Sequence, residues 1–311
     1  MLDIIGKRAI YFLISACLLV PGLVSLLLPG GLKLGVDFTG GTLWELEFGQ
    51  TIQPADVRQV MAEHGYDDSV VQTAGENAVL IRAKEIPSDG PEKPAIQADL
   101  QARFGDFKEL RFESVGPVVG AEIAQRAVFA VGLASLGILA YIWYAFRKIP
   151  DAFRYGVCAI IALIHDAIIV LGAFSIMGRL FNVELDAMFV TAVLTVIGFS
   201  VHDTIVVFDR VRENLLRYPG EPFVRVVNHS IVQTLGRSLS TSLTVVFTLA
   251  ALVLFGGVTT RMFALTLLIG VVVGTYSSIF NASALLVVWQ NGELGRLLRR
   301  TPAEEVSART I

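Results

Sequence analysis

The sequence predicts a multi-pass α-helical membrane protein with six transmembrane helices and a small α+β ferredoxin-like domain between helices 1 and 2. Its 311 residues are 54% hydrophobic and only 17% charged, a balance that soluble domains rarely show. Six apolar runs are each long enough to cross a bilayer. One long hydrophilic segment, residues 29–118, separates the first run from the second.

The first apolar run extends from Ala9 to Leu28 and follows Lys7 and Arg8, as the core of a signal peptide would. At about 20 residues it is long enough to span the membrane. It also lacks a clear small-x-small cleavage site, so we interpret residues 1–28 as an uncleaved helix. The other five spans, within residues 119–295, are predicted at 124–146, 155–178, 184–207, 238–256 and 262–289.

The hydrophilic segment has the pattern of a folded domain. Strands and helices are predicted in the order βαββαβ at residues 42–48, 54–65, 69–74, 77–83, 91–105 and 108–114. That order is the ferredoxin-like split βαβ arrangement. The segment contains no nucleophile, metal or phosphate-binding pattern, so we expect this domain to act by contact with other molecules.

Basic residues predict the orientation in the membrane. One side of the predicted spans carries Lys7, Arg8, Arg147, Lys148, Arg154, Arg210, Arg212, Arg217, Arg225, Arg296, Arg299 and Arg300. The short loops on the other side hold only Arg179 and Arg261. The positive-inside rule then places both termini in the cytoplasm and residues 29–118 on the outer face. Residues 208–237 become a cytoplasmic segment with an interfacial helix at 220–236, and residues 296–311 a cytoplasmic tail.

The composition and the motifs limit the functions that the sequence predicts. A net charge of −3 gives no indication of nucleic-acid binding. The two cysteines, Cys17 and Cys158, lie in different predicted spans and fit small packing residues better than a disulfide or a metal site. There is no Walker motif, and the glycine-rich stretch GVDFTGGT (35–42) leads into a strand, so we interpret it as a turn. We expect no cofactor, no metal and no enzymatic activity.

The fourth predicted span contains His202 and Asp203. An ionised aspartate at the centre of a helix costs about 2.5–3.5 kcal/mol on insertion scales, so such residues usually mark a functional path. Thr191, Thr195 and His202 share one face, and Asp203 lies about 100° further round, beside Ser200. This polar sector should face other helices or water. It fits either an ion path or a packed hydrogen-bond network with no transport role.

The fifth predicted span places Arg237, Thr241, Thr244 and Thr248 on one helix face. Arg237 could be a simple anchor at the cytoplasmic end of the span. The row of hydroxyls that runs inward from it favours instead a hydrated or protein-facing surface. On such a surface the guanidinium of Arg237 could meet the carboxylate of Asp203.

The third span repeats the His-Asp pair at His165 and Asp166. Neighbouring residues on a helix diverge by about 100°, so one such pair rarely chelates a metal. Asp166 fits either a structural hydrogen bond or a relay. In the sixth span, a row of small and polar residues predicts close helix packing: Thr266, Gly270, Gly274, Ser277 and Asn281. Together the spans form a polar seam, within which Asp203 can hold a proton because desolvation disfavours its charged form.

Several of these stretches together resemble the SecF branch of the SecD/SecF family of protein-export membrane proteins, within the RND superfamily. They are LGVDFTGGT (34–42), ESVGPVVGAEIAQ (113–125), ALIHDAIIVLG (162–172), VIGFSVHDTIVVFDRVREN (196–214), QTLGRSLSTSLT (233–244) and LIGVVVGTYSSIFNASAL (268–285). The resemblance covers nearly the whole chain and implies a multi-pass RND-type half with a ferredoxin-like outer domain in the bacterial cytoplasmic membrane.

The resemblance also implies a function. It implies a subunit that uses the proton-motive force, with a SecD-like partner beside the SecYEG channel, to promote the translocation of an unfolded preprotein. The family's proton-linked aspartate and arginine match Asp203 and Arg237, while Asp166 matches a recurring residue of less defined role. The position before the aspartate is typically asparagine in the family. His202 could join the relay there or replace the amide as a hydrogen-bond partner.

Three other functions are compatible with parts of the pattern. An RND-type proton-coupled exporter would need about twice this complement of spans and outer domains. A membrane metalloenzyme would have to use the two His-Asp pairs. A passive scaffold of the export channel would not need Asp203 at all.

Overall fold

The computed structural model describes residues 2–147 and 151–293. Lys148 and the predicted tail at 296–311, with Arg296, Arg299 and Arg300, lie outside the described residues. The described chain forms two compact units. The helical unit comprises the described residues of Met1–Gly31, Ala134–Ile176 and Thr191–Ile311. The α+β unit comprises Leu32–Leu133 and Met177–Val190.

Six helices of the described chain are long and apolar enough to cross a membrane, as predicted. Five are α1 (Arg8–Leu27), α5 (Pro117–Phe146), α6 (Ala152–Phe181), α7 (Ala187–Arg217) and α8 (Phe223–Phe255). The sixth is continuous through α9 (Val258–Tyr276), a π-helix at Ser277–Ala282 and α10 (Ser283–Gln290). Most of these helices are longer than the apolar runs of the sequence, because the polar residues that flank the runs are also helical.

The segment at 220–236, predicted as a separate interfacial helix, is not separate. Residues from Phe223 onward are the first turns of α8, which continues without a break to Phe255. Asn228 in this part of α8 accepts hydrogen bonds from the backbone nitrogens of Ile4 and Ile5, at 2.8 and 3.1 Å. The start of the chain is therefore held against the beginning of α8.

Small residues let the spans of the helical unit approach closely. α1 and α6 meet at Gly22 and Gly172, where a Cβ on Gly172 would lie 2.5 Å from the Cα of Gly22. Close to this contact, Ser25 and Ser175 share a hydrogen bond of 2.7 Å. On α9, a Cβ on Gly270 would lie 2.1 Å from a side-chain carbon of Val196 on α7. Small residues of the sixth span therefore contact α7.

The α+β unit contains a four-stranded antiparallel sheet in the order β2-β3-β1-β4. Its strands are β1 (Gly41–Phe48), β2 (Val70–Thr73), β3 (Ala78–Ala83) and β4 (Phe107–Val115). Two helices cover it, α3 (Pro54–Glu63) and α4 (Glu92–Phe104), and a short helix, α2 (Val36–Thr39), precedes β1. The connection order and strand order are those of a ferredoxin-like domain. Trp44, Leu46, Ile81, Ile96 and Leu100 are fully buried in its core.

The connection between α6 and α7 belongs to the α+β unit. Leu34 and Leu185 form a parallel β-bridge, flanked by hydrogen bonds of 2.8 Å from Gly35 N to Leu185 O and from Leu185 N to Lys33 O. The glycine-rich stretch predicted as a turn is more than a turn. It pairs with this connection, forms α2, and turns sharply at Gly40 and Gly41 into β1.

Candidate functional site: buried polar groups of the helical unit

Asp203 is buried within α7, with 3% of its surface exposed. Among the residues that the structure describes, its Oδ2 atom has no hydrogen-bond partner. Ser242 of α8 is the hydroxyl that interacts with its carboxyl group, and Ser242 Oγ accepts a hydrogen bond of 2.7 Å from Thr275 on α9. Asp203 therefore lies close to Ser242 of α8, whose hydroxyl is itself bound to α9.

A buried aspartate with an unsatisfied oxygen is stable as a neutral acid and costly as an anion. His202, the preceding residue of α7, is the titratable group whose charge would act on this carboxyl group. Its side chain can take up one proton, and it gains a partner only if a donor or a cation moves towards it.

Asp166 is the centre of a second buried network and is only 1% exposed. Ser200 on α7 donates to its Oδ2 atom at 2.5 Å, and Nδ1 of His165 lies 2.9 Å from its Oδ1 atom. The other imidazole nitrogen, Nε2, lies 3.3 Å from the side-chain nitrogen of Asn281. Asp166 and His165 therefore connect α6 both to α7 and to the sixth span.

The π-helix at Ser277–Ala282 carries the other side of this network. Ser278 donates to the backbone oxygen of Ser200 at 2.9 Å and accepts from Thr204 at 2.8 Å. Asn281 donates to Ser15 on α1 at 2.5 Å. One connected set of hydrogen bonds thus links α1, α6, α7 and the sixth span. Single-turn π segments often occur at functional sites, whereas the sequence predicted close helix packing for Ser277 and Asn281.

Arg237 and the hydroxyls that follow it lie elsewhere. Arg237 is exposed and lines a cleft of about 310 Å³ together with Asp209, Arg210 and Glu213. Within residues 2–147 and 151–293 its guanidinium has no ion pair with Asp203 or with another carboxylate. Thr241, Thr244 and Thr248 are exposed and donate to backbone oxygens of their own helix.

A different hydroxyl row of α8 is buried, made up of Thr234, Ser238 and Ser242. On α7, Thr191, Thr195 and His202 are likewise exposed. The structure thus brings Asp166 together with Ser200 and places Asp203 beside Ser242. It leaves Arg237, His202, Thr195, Thr241 and Thr244 on the surface of the helical unit.

The cysteines and the His-Asp pairs form no metal site in the described part of the chain. Cys17 and Cys158 are both free. No group of three histidine, cysteine or acidic side chains within those residues is arranged to hold a metal ion.

The fold and these buried groups define a class of protein: a multi-pass helical membrane protein with titratable groups inside its bundle and one α+β domain inserted after the first span. Comparison with known proteins identifies the family. Residues 95–292 match the family described as "Protein export membrane protein SecD/SecF, C-terminal", and residues 30–52 match the SecD/SecF GG motif. The chain belongs to the SecD/SecF family and is a multi-pass inner-membrane protein.

Individual relatives agree with this assignment. The chain is 53% identical to the protein translocase subunit SecF of Thermobaculum terrenum, over 98% of this chain and 99% of that protein. It is 48% identical to the protein of the same name from Anaerolinea thermophila, over 96% and 98% of the two chains. It also resembles the crystal structure of SecDF, a translocon-associated membrane protein from Thermus thermophilus, with a TM-score of 0.79 and 32% identity. That match covers 93% of this chain and 39% of the SecDF chain.

Proposed function

We propose that this chain, a SecF-like subunit of the Sec protein-export machinery, uses the proton-motive force to promote preprotein translocation across the cytoplasmic membrane. The observation that carries the proposal is Asp203, a buried carboxyl group with an unsatisfied oxygen in the middle of an apolar helix. Each proton that crosses with the membrane potential releases about 2.3 kcal/mol per 100 mV. Cyclic protonation of Asp203 would allow the subunit to use that energy.

Arg237 is the cation we propose for the deprotonated state. Ser242 interacts with Asp203, and Arg237 comes five residues earlier on the same helix. Its Cα therefore lies about 7.5 Å along the helix axis and about 140° round it. A rotation of α8, together with the reach of the long arginine side chain, would bring the two charges together. In this proposal, Arg237 faces its cleft while Asp203 is protonated, and the two side chains meet only after Asp203 has released its proton.

The partner we propose is a SecD-like protein. The match to SecDF from Thermus thermophilus, of which this chain covers 39%, supports this proposal. The exposed polar residues within the spans, among them His202, Thr195 and Arg237, are costly against lipid and suit a second helical bundle. The SecYEG channel and the unfolded preprotein complete the proposed set of partners.

The orientation is also a proposal. Arg147, Arg154, Arg210 and Arg217 lie at one end of the helical spans, the end at which α1 begins. The positive-inside rule places that end in the cytoplasm, with both termini, and the α+β domain on the outer face.

Export in membrane vesicles with an imposed proton gradient tests the proposal. The gradient-stimulated part of export is measured for the wild type and for Asp203→Asn, which keeps the shape of the side chain but cannot release a proton. We expect Asp203→Asn to abolish the gradient-stimulated part while the complex still assembles. Asp68→Asn removes an exposed carboxylate of the α+β domain and should leave export unchanged. Full gradient-stimulated export by Asp203→Asn would identify the chain as a passive scaffold.

A further inference from the structure

We infer that the glycine motif at residues 35–41 is a mechanical joint that connects the α+β domain to α7, and that Asp37 is the positioning residue that holds this joint. The joint is a property of the α+β unit alone. Its role in export rests on the proposed function, because α7 is the helix that carries Asp203.

The first contact of the joint is at the start of α7. The Oδ2 atom of Asp37 accepts a hydrogen bond of 2.8 Å from the backbone nitrogen of Ala187, the first residue of that helix. The first backbone N–H groups of a helix have no partner within it, and the positive end of the helix dipole favours a carboxylate there. Asp186 caps the same turn locally, by accepting from Phe189 N at 2.8 Å. Asp37 performs this role from 150 residues away in the sequence.

The second contact is made by the backbone on both sides of Leu185. Gly35 N donates to Leu185 O, and Leu185 N donates to Lys33 O, each at 2.8 Å. A Cβ on residue 35 would lie 2.9 Å from Leu185 O, so this pairing requires glycine at that position. The side chain of Leu185 is buried in the process. The connection before α7 is thus paired with the motif as a short β-ladder.

The third contact is an ion pair. Arg82 on β3 contacts Glu184 with an N–O distance of 2.5 Å, and both side chains are mostly shielded from solvent. β3 pairs directly with β1 in the sheet. The residues just before α7 are therefore tied both to the motif and to the central strands of the domain.

The other end of the motif is fixed to the body of the α+β unit. Gly40 has a φ of +73°, and a Cβ there would lie 2.6 Å from the Cα of Pro117, the first residue of α5. Gly41 has a φ of +115° and begins β1, where its Cβ would lie 2.8 Å from Ala83 O. Both positions therefore need glycine, first for the positive φ and again for the close approach.

These contacts all lie within the α+β unit and hold the first turn of α7 there. α7 is continuous from Ala187 to Arg217, and Asp203 comes 16 residues after Ala187, about 24 Å along the helix axis. A displacement of α7 along its axis or about it would act on Asp37 and on the ladder at Leu185. A displacement of the α+β domain would act on α7 in the same way.

The test uses the full-length chain reconstituted with its SecD-like partner, and compares Asp37→Ala, Asp37→Asn and Asp56→Ala. Asn keeps a side-chain oxygen that can accept from Ala187 N, whereas Ala does not. Asp56 is the matched control, because it is an exposed acid in the first turn of α3. Two quantities are measured: amide hydrogen exchange in a peptide covering residues 183–190, and the gradient-stimulated part of export.

In Asp37→Ala we expect exchange at residues 187–190 to become about tenfold faster, the effect of losing one hydrogen bond to a charged group. Exchange in β1 should not change, since its core contacts do not involve Asp37. Gradient-stimulated export should fall to a small fraction of the wild-type value, while gradient-independent export is kept. Asp37→Asn should recover most of both properties, and Asp56→Ala should behave as the wild type.

Unchanged exchange at residues 187–190 in Asp37→Ala would show that the joint does not exist. Faster exchange with full gradient-stimulated export would show that the joint exists but transmits nothing, which also overturns the inference. If the wild type itself shows no gradient-stimulated export, the proposed function fails, whereas the exchange result still decides whether Asp37 holds α7.

Discussion

Two buried aspartates of the helical unit have opposite surroundings, and this difference assigns them different roles. Asp166 is satisfied by Ser200 and His165 within a network that joins several helices. Asp203 has an oxygen atom that no described residue binds. A satisfied buried group holds a structure together, while an unsatisfied one is free to change its partner. These surroundings favour a structural role for Asp166, and they are compatible with the proton-linked role proposed for Asp203.

Ser200→Ala tests the structural role of Asp166. The substitution removes the donor to Asp166 Oδ2 and leaves a buried carboxyl oxygen unsatisfied, at a cost of about 1–3 kcal/mol. We expect a clearly lower midpoint of thermal unfolding for the protein purified in detergent. Thr195→Val is the control, because its hydroxyl is exposed and bonds only to its own helix. Equal midpoints for the two variants would contradict the assignment.

At the level of single residues, the sequence locates the ionisable and hydroxyl side chains of the spans, but it does not tell which helix faces are buried. Helix periodicity predicts rows of hydroxyls on α8, but two such rows exist. The row of Thr241 and Thr244 is exposed in this chain, and the row of Ser238 and Ser242 is buried. Hydropathy cannot distinguish them, since both rows consist of small hydroxyl residues. Only the packing of α8 against its neighbours makes the choice.

Close contact between helices is the main feature at the level of elements. The sequence predicted small-residue packing for the sixth span, where Gly270 and Gly274 do contact α7. It did not predict the contact between Gly22 and Gly172, because each of these glycines is isolated within an apolar run. The strands were easier to predict, since a sheet with one buried face imprints a regular alternation on the sequence.

Gly172→Ala tests the contact between α1 and α6. The added methyl group would lie 2.5 Å from the Cα of Gly22, and backbone atoms cannot turn aside as a side chain can. We expect a destabilisation of about 1–3 kcal/mol, as for other overpacked sites, measured by thermal unfolding in detergent. Gly137→Ala is the matched control in α5, because nothing lies within 4 Å of its added methyl group. That control should be neutral or stabilising, since alanine favours helix by up to about 1 kcal/mol over glycine.

A destabilised Gly137→Ala would show that the unfolding signal reports something other than backbone crowding. A stable Gly172→Ala would show that α1 can shift away from α6 at little cost. Either result would contradict the conclusion that the close approach of Gly22 and Gly172 determines how α1 packs against α6.

At the scale of the whole molecule, two acidic residues of the α+β unit, Glu184 and Asp186, come immediately before α7. Burial raises the pKa of Glu184 and the pKa of Asp186, although neighbouring arginines act in the opposite direction. In the proposed orientation these carboxyl groups face the outer compartment, the acidic side of an energised membrane. The joint at the start of α7 is therefore exposed to the pH of the outer compartment, which is one component of the proposed proton-motive force.

The sign of the pH effect follows from these shifts. An acid whose pKa is raised by folding binds its proton more tightly in the folded state, so its contribution to stability is full below its ordinary pKa and is lost as the pH rises through the raised value. For Glu184 the ordinary pKa is 4.5. Lowering the pH from neutral towards that value should stabilise the packing of residues 182–186 on the α+β unit. Exchange at residues 187–190, corrected for the intrinsic pH dependence of exchange, should become slower.

Glu184→Gln makes this last prediction specific. The neutral amide keeps the size of the side chain but cannot titrate, so the protection of residues 187–190 should lose much of its pH dependence and keep only the part due to Asp186. Glu63→Gln is the contrasting control, because hydrogen bonding to Arg103 lowers the pKa of that exposed carboxyl group and its contribution is lost, not gained, at low pH. The measurement is hydrogen exchange of the full-length protein between neutral pH and pH 4.5. A pH dependence that is the same in Glu184→Gln as in the wild type, or protection that falls on acidification, would show that this cluster does not sense the outer pH.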